Sequence, residues 1–172
     1  LPGFITSPQP HRLRFHEITL VDDGQGHVQV GGDNVGIRPS RLLVTAPGEV
    51  RSWRIGQRRL RGQVAFFETD FVREFAGASA VGAFPFLHDT RRTRTLDLQP
   101  YDRRRVDRLM DEMRSELANL RADSVHALRA QLYQLLVALQ RLFGTPPIRS
   151  DPAAAHARRF EQLVDQRFAQ SS

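Results

Sequence analysis

The sequence predicts an α+β protein: an antiparallel β-barrel or sandwich followed by a group of helices. Three observations carry this. Every glycine except Gly144 lies in residues 1–98, among short apolar runs broken by turn residues. Residues 99–172 are instead rich in Leu, Ala, Arg, Glu and Gln, and their apolar residues recur at the helical period. The chain has 172 residues, 40% hydrophobic and 26% charged, which suits one domain of about 150 residues with a small appendage and a real core.

Phe15–Val21 is the first β-rich run. Asp22-Asp23-Gly24-Gln25-Gly26 follows, and Asp-Gly between apolar runs is a hairpin signal. His27–Val30 alternates polar and apolar, and Gly31-Gly32-Asp33-Asn34 turns the chain again. Val35–Ile37 is a short strand stopped by Arg38-Pro39-Ser40. Leu42–Thr45 reads as a buried strand ended by Ala46-Pro47-Gly48. Val50–Ile55 and Leu60–Phe67 flank Gly56-Gln57. Asp70–Phe75 suits a short helix, and Thr95–Leu98 one more strand. Short strands with turns this close together indicate an antiparallel architecture.

Beyond residue 98 the period becomes 3.6. Val106, Leu109, Met110, Met113, Leu117 and Leu120 share about 100° of helix circumference. Pro100 precedes this helix, with Asp102 as the expected N-cap. A second helix starts near Asp123-Ser124, and its apolar residues from Val125 to Phe143 fill an arc of about 120°. Gly144 is the expected stop. The short connection makes the two helices antiparallel. Thr145-Pro146-Pro147 opens a stiff linker. A third helix is expected from Asp151-Pro152, with Phe160, Leu163, Val164 and Phe168 on one stripe. That stripe has no later element to cover it, and the chain begins at Leu1, so the sequence reads as a trimmed fragment.

Composition removes several classes. With no cysteine there is no disulfide framework, thiol nucleophile or Cys-based zinc site. No run approaches the roughly 18 apolar residues of a membrane span. All 25 basic residues are Arg and the net charge is +6, which suits an anionic partner or simple tolerance. Nucleophile-elbow and phosphate-loop patterns are missing. Glu49, Glu68 and Asp70 form no acid–base pair, so no enzyme is expected. Arg91-Arg92-Thr93-Arg94 and Arg103-Arg104-Arg105 lack interleaved aromatics and read as solvated faces.

The order of these pieces resembles the N-terminal regulatory half of AraC/XylS-family transcription regulators. Gly24-Gln25-Gly26, Arg38-Pro39 and Ala46-Pro47-Gly48-Glu49-Val50 are similar to successive turns of the family's barrel. Gly62–Phe67 with Phe71 resembles its next strand and short helix. The Leu-rich pair matches a dimerisation hairpin. Arg159-Phe160-Glu161-Gln162-Leu163-Val164 resembles the opening helix of the DNA-binding domain. Ser40 and Arg41 depart from the usual Gly and Asp of one turn. The resemblance implies a cupin-like (jelly-roll) barrel over 1–98, a dimerisation hairpin over 99–144, a linker over 145–151, and over 152–172 the first helix of a truncated DNA-binding domain. It implies a cytoplasmic homodimer that senses a small molecule and touches promoter DNA only through the missing segment.

Metal cupins hold their ion with a His-x-His pair, a Glu and a distant His. Here Leu13 stands where the second His belongs and Arg51 where the distant one does. His16 and Glu17 are adjacent and point to opposite faces. No metal and no cofactor are therefore expected. A ligand pocket inside the barrel is expected instead. Trp53 stands near an aromatic platform position. Arg61 and Gln63 are two apart on one strand and share a face, and His11 lies near the same mouth, with Leu13 counted beside it. Such groups suit a polar or anionic effector. Plain core for Trp53 and a solvated edge for Arg61 are the competing readings. The dimer seam is expected on the second helix, from Leu128, Leu132, Leu135, Leu139 and Leu142, so that Leu135→Asp yields a folded monomer. A small cupin-fold enzyme and a ligand-free dimerisation module are the alternative functions. The fragment itself is expected not to read DNA sequence, because the reading helix lies downstream.

Overall fold

The computed structural model describes residues 6–56, 59–76, 83–88 and 94–144. It contains β1 (His11–Arg12), β2 (His16–Asp23), β3 (Gly26–Val30), β4 (Asp33–Ile37), β5 (Arg41–Thr45), β6 (Val50–Ile55), β7 (Arg61–Phe67), α1 (Thr69–Ala76), a 3₁₀ turn at Pro85–Leu87, β8 (Arg94–Asp97), α2 (Pro100–Ala118) and α3 (Ser124–Phe143). The strands form two antiparallel sheets. The outer sheet has the order β1-β6-β3-β4 and the central sheet β7-β2-β5-β8. This fits the expected α+β, cupin-like architecture. The expected third helix lies outside the described residues.

The layers follow from the strand patterns. In β3, Val28 and Val30 are buried while His27 and Gln29 are exposed, so the outer sheet has one dry face. In β2, the six residues from His16 to Val21 are all buried, and in β5 so are the four from Leu42 to Thr45. A strand buried on both faces is a central layer. One core lies between the sheets, with Val21 and Leu43 against Val28, Val30 and Trp53. The other lies on the opposite face, where Ile18, Leu20, Leu42 and Val44 meet α2 and α3.

Register keeps the two cores apart. Leu20 pairs with Leu42 on β5 and with Gln63 on β7. Opposed residues share a face, so all three side chains point toward the helices. At Gly62 a Cβ would sit 2.2 Å from the Leu20 carbonyl oxygen, so only glycine lets β7 approach β2 here. Ser40, in the turn where the resemblance leads one to expect Gly, has φ of 65°. The turn keeps its left-handed geometry and the serine carries the strain. Its position is held by its N–H to the Val21 carbonyl and its C=O to Leu98 N.

The helices begin differently from expectation. Pro100 is the first residue of α2 and Gln99 its N-cap, so Asp102 lies inside the first turn. Proline at the first helical position loses no hydrogen bond, and Asp102 still favours the helix through the dipole. Gly144 ends α3 as expected, with φ of 93°. The α2 stripe buries Val106, Leu109, Met110 and Met113, but Leu117 and Leu120 remain 59% and 67% exposed at the hairpin tip.

Candidate functional site

Beside the apolar core between the sheets lies a group of the protein's own buried polar side chains. Arg51 projects inward from β6 and Glu17 from β2, and both are buried. The Arg51 guanidinium donates from Nη1 to Glu17 Oε1 and from Nε to His11 Nε2 at 3.2 Å. Thr19 Oγ1 also donates to Glu17 Oε1, at 2.7 Å. His11 Nδ1 lies 3.1 Å from the Gln9 carbonyl, which fits a neutral ring that donates there and accepts from Arg51. Burial pushes the Glu17 carboxyl up and the Arg51 guanidinium down, and their mutual attraction opposes both. Trp53 lies beside them, with Arg51 Cζ 5.8 Å from the ring centroid. Glu17 Oε2, Thr45 Oγ1 and Trp53 Nε1 have no hydrogen-bond partner among the described residues.

A second, largely buried pair joins β8 to the β5–β6 turn. Arg94 on β8 donates to Glu49 Oε2 at 2.5 Å, and the Ala46 N–H donates to the same oxygen. Glu49 therefore closes the β5–β6 turn. On the opposite face of β2, His16 Nε2 is 3.0 Å from Thr69 Oγ1 and its ring stacks on Phe67 at 5.0 Å. Burial, then the neighbouring His88 and Arg94, lowers His16 to about 4. At neutral pH it is an uncharged core residue.

The five expected ligand residues do not converge. His11 reaches the interior through Arg51. Trp53 is 1% exposed and Leu13 4%, so both are core. Leu13 also ties β1 to the β5–β6 turn through its N–H to Glu49 and its C=O to Gly48 N. Arg61 and Gln63 do share a face, but it is the helix-facing one. Arg61 is exposed and pairs with Asp23 at 2.9 Å, while Gln63 Nε2 donates to Asp107 on α2 at 3.3 Å. Neither projects between the sheets. The physical reason is register: Gln63 opposes Leu20, whose neighbours are the helices.

The expected dimer residues are largely used within one chain. Leu132, Leu135 and Leu139 are 4%, 0% and 0% exposed, packed on the central sheet and α2. Leu128 and Leu142 are half-buried against the same core. A charge at Leu135 would enter this core, so Leu135→Asp cannot be a clean monomerising change. Arg103, read as part of a solvated cluster, is also committed. It donates to the Val21 carbonyl at 2.8 Å and to the carboxylates of Asp22 and Asp107, which fastens α2 to β2.

Sequence reasoning missed the Glu17–Arg51 contact itself. The signal was the pairing of a buried-strand carboxylate with an arginine in the next inward-facing strand. Among the described residues, no three His, Cys, Asp or Glu side chains are grouped to hold a metal ion, and no helix is long and apolar enough to cross a membrane.

The family model of the AraC-like ligand binding domain matches residues 2–136, which span both sheets, α1, α2 and most of α3. The chain belongs to this family. No curated protein matches it. Among solved structures, it is similar to the AraC-like transcriptional activator CuxR, with 11% identity over 73% of this chain and 43% of that one and a TM-score of 0.45. It is also similar to ToxT from Vibrio cholerae, with 10% identity over 85% of this chain and 57% of that one and a TM-score of 0.47. A second ToxT structure, from Vibrio cholerae O395 bound to (E)-4-(8-methylnaphthalen-1-yl)but-3-enoic acid, gives 8% identity, the same coverage and a TM-score of 0.49. The AraC-family chain thus spans about half the length of these proteins.

Proposed function

We propose that this chain is the effector-sensing and dimerising part of a cytoplasmic AraC-type transcription regulator, and not an enzyme. The observation that supports it best is the match to the ligand-binding family over residues 2–136. The architecture is consistent with that role. The central sheet shares one continuous core with α2 and α3, so a ligand that shifts the sheet changes the packing under the hairpin. The effector is a small molecule. Promoter DNA is contacted by a downstream helix-turn-helix segment. Dimerisation uses the exposed apolar tip of the hairpin, at Leu117, Leu120 and Val125, since the inner leucines of α3 serve the monomer core. Leu120→Asp then gives a folded monomer by sedimentation, and a wild-type chain that is monomeric at tens of micromolar would rule the dimer out.

The regulator reading is tested on the full reading frame. Its protein should bind the DNA upstream of its own frame in preference to scrambled DNA at physiological salt. The 172-residue chain should show no such preference, because its arginines offer phosphate contacts that are sequence-blind and salt-sensitive. Sequence preference by the 172 residues alone would place the reader inside them. No preference by the full protein would remove the regulator reading.

A further inference from the structure

A cavity lies outside the space between the sheets, where β7 meets the helical hairpin. Its volume is about 760 Å³. Its walls include Phe66, Phe67, Phe71, Met110, Met113 and Leu128. We propose that this cavity is a binding site for an uncharged, largely aromatic small molecule that carries a hydrogen-bonding group. The proposal deepens the sensing role and rests on it only for the biological meaning of the site.

Four observations support that occupant. The size falls within the range of about 300–1,000 Å³ typical of small-molecule sites. A four-turn helix about 10 Å across would displace roughly 1,700 Å³, so the cavity does not suit a docked helix. The lining is aromatic and thioether-rich, and Phe15 meets Phe66 edge-on at 4.8 Å. Flat apolar rings pack well against such side chains, and methionine adapts to their outline.

The third observation is the strand edge. β7 is the terminal strand of the central sheet, with β2 its neighbour among the described residues. Every second peptide group along it points away from β2, toward the cavity side. A carbonyl, hydroxyl or amide on the ligand would satisfy these groups. The fourth observation is the charge at the rim. Arg114 already pairs with Asp111 at 2.9 Å. Glu68, exposed at the other side, balances Arg114 within the lining. The walls therefore offer no net charge to hold an anion, and a neutral ligand needs none.

The position also links the two layers. Phe67 belongs to the central sheet, Met110 and Met113 to α2, and all three are part of the same core. A ligand between them is wedged where the sheet supports the hairpin.

Nile red, a neutral aromatic dye that brightens in apolar surroundings, is the probe. Titrated into the 172-residue chain, it should saturate at one dye per chain. Phe66→Arg and Leu117→Arg alter partly exposed lining residues, 39% and 59% exposed. Each should weaken the dye at least about tenfold by placing a charge on the apolar wall. Leu120→Asp, outside the lining, should leave dye affinity unchanged even as it removes any dimer. Glu68→Gln should strengthen binding of the anionic dye 1-anilinonaphthalene-8-sulfonate and leave Nile red unaffected. Circular dichroism melts establish that each variant is folded. Non-saturating dye uptake overturns the proposal, as does wild-type affinity in folded Phe66→Arg and Leu117→Arg. So does dye binding that appears only after a dimer is broken, which would mean that a second copy fills the cavity. The sensing reading has its own readout, a promoter reporter in the full frame. Dye affinity lost in Phe66→Arg with regulation intact counts against the sensing role and leaves the site standing.

Discussion

The two faces of β2 solve the same problem in opposite ways. Each face buries one ionisable side chain. Glu17, facing the outer sheet, keeps a cation beside it, because Arg51 arrives from β6 with Thr19 as a further donor. His16, one residue earlier and facing the helices, has only His88 and Arg94 to add to the effect of its burial, and it sheds its proton instead. The lesson is that burial pushes both groups toward their neutral forms, and the sign of the group that the neighbouring element delivers sets whether that push is opposed, as at Glu17, or reinforced, as at His16.

The largest expected effect breaks the charged face. Arg51→Met leaves Glu17 buried without its partner and should cost about 4 kcal/mol of unfolding free energy, the usual scale for orphaning half of a buried pair. Urea denaturation at pH 7 measures it. Glu17→Gln combined with Arg51→Met should recover most of the loss. If the double variant is as unstable as the single one, the cost lies in packing and the electrostatic contrast fails.

Next in size is the apolar helix face. Leu135→Ala should cost about 3 kcal/mol through the cavity it leaves. It should do so without any change in sedimentation, because Leu135 is wholly buried within one chain. A change of oligomeric state at retained stability would return this leucine to a subunit seam.

The neutral face sharpens the contrast through pH. His16 titrates near 4 when folded and near 6.5 when unfolded. Between those values the unfolded chain binds more protons, so this residue makes stability fall as pH drops from 6.5 to 4. The loss is about 3 kcal/mol and levels off below the folded value. Glu17 acts with the opposite sign. Its folded value is raised above 4.5, so its contribution to stability is lost as pH rises through that folded value. Comparing wild type with His16→Phe removes the Glu17 contribution common to both. The difference between the two pH curves should be confined to the window from 4 to 6.5, and a flat difference would mean that His16 is solvated.

The smallest effect concerns the turn. Ser40→Gly should stabilise the chain by up to about 1 kcal/mol, the usual strain of a left-handed non-glycine residue less the added freedom of the unfolded chain. A thermal melt that falls instead would show that the Ser40 hydroxyl makes up for the strain.

Much of the fold was legible because local chemistry fixed it. Val50–Ile55 forms the strand its turns delimit, and Ser124–Phe143 the helix that Asp123 and Gly144 bracket. The strand His11–Arg12 was not legible, since two residues carry no period and form β structure only by pairing with Val50 and Arg51. The candidate site was less legible than the fold. Alternation correctly put Arg61 and Gln63 on one face, but which face meets the helices depends on pairing with a strand some forty residues away. Likewise, the leucine arc of α3 gives the direction of an apolar surface and not its partner. Here that partner is the chain's own central sheet.

The strand order of that central sheet has a consequence for synthesis. β5 ends at Thr45, yet its partner β8 begins only at Arg94, and β2 waits for β7. At about 5–20 residues per second, some fifty residues take roughly 3–10 s to emerge. During that interval two strands made almost wholly of core residues are outside the ribosome with open edges and no helices over them. The outer sheet exposes less while it waits: β3 and β4 are consecutive, β6 follows by residue 50, and only the two-residue β1 pairs across some forty residues. The nascent chain is therefore most vulnerable to aggregation before residue 97, and a chaperone that recognises extended apolar segments would find its target in Ile18–Val21 and Leu42–Thr45.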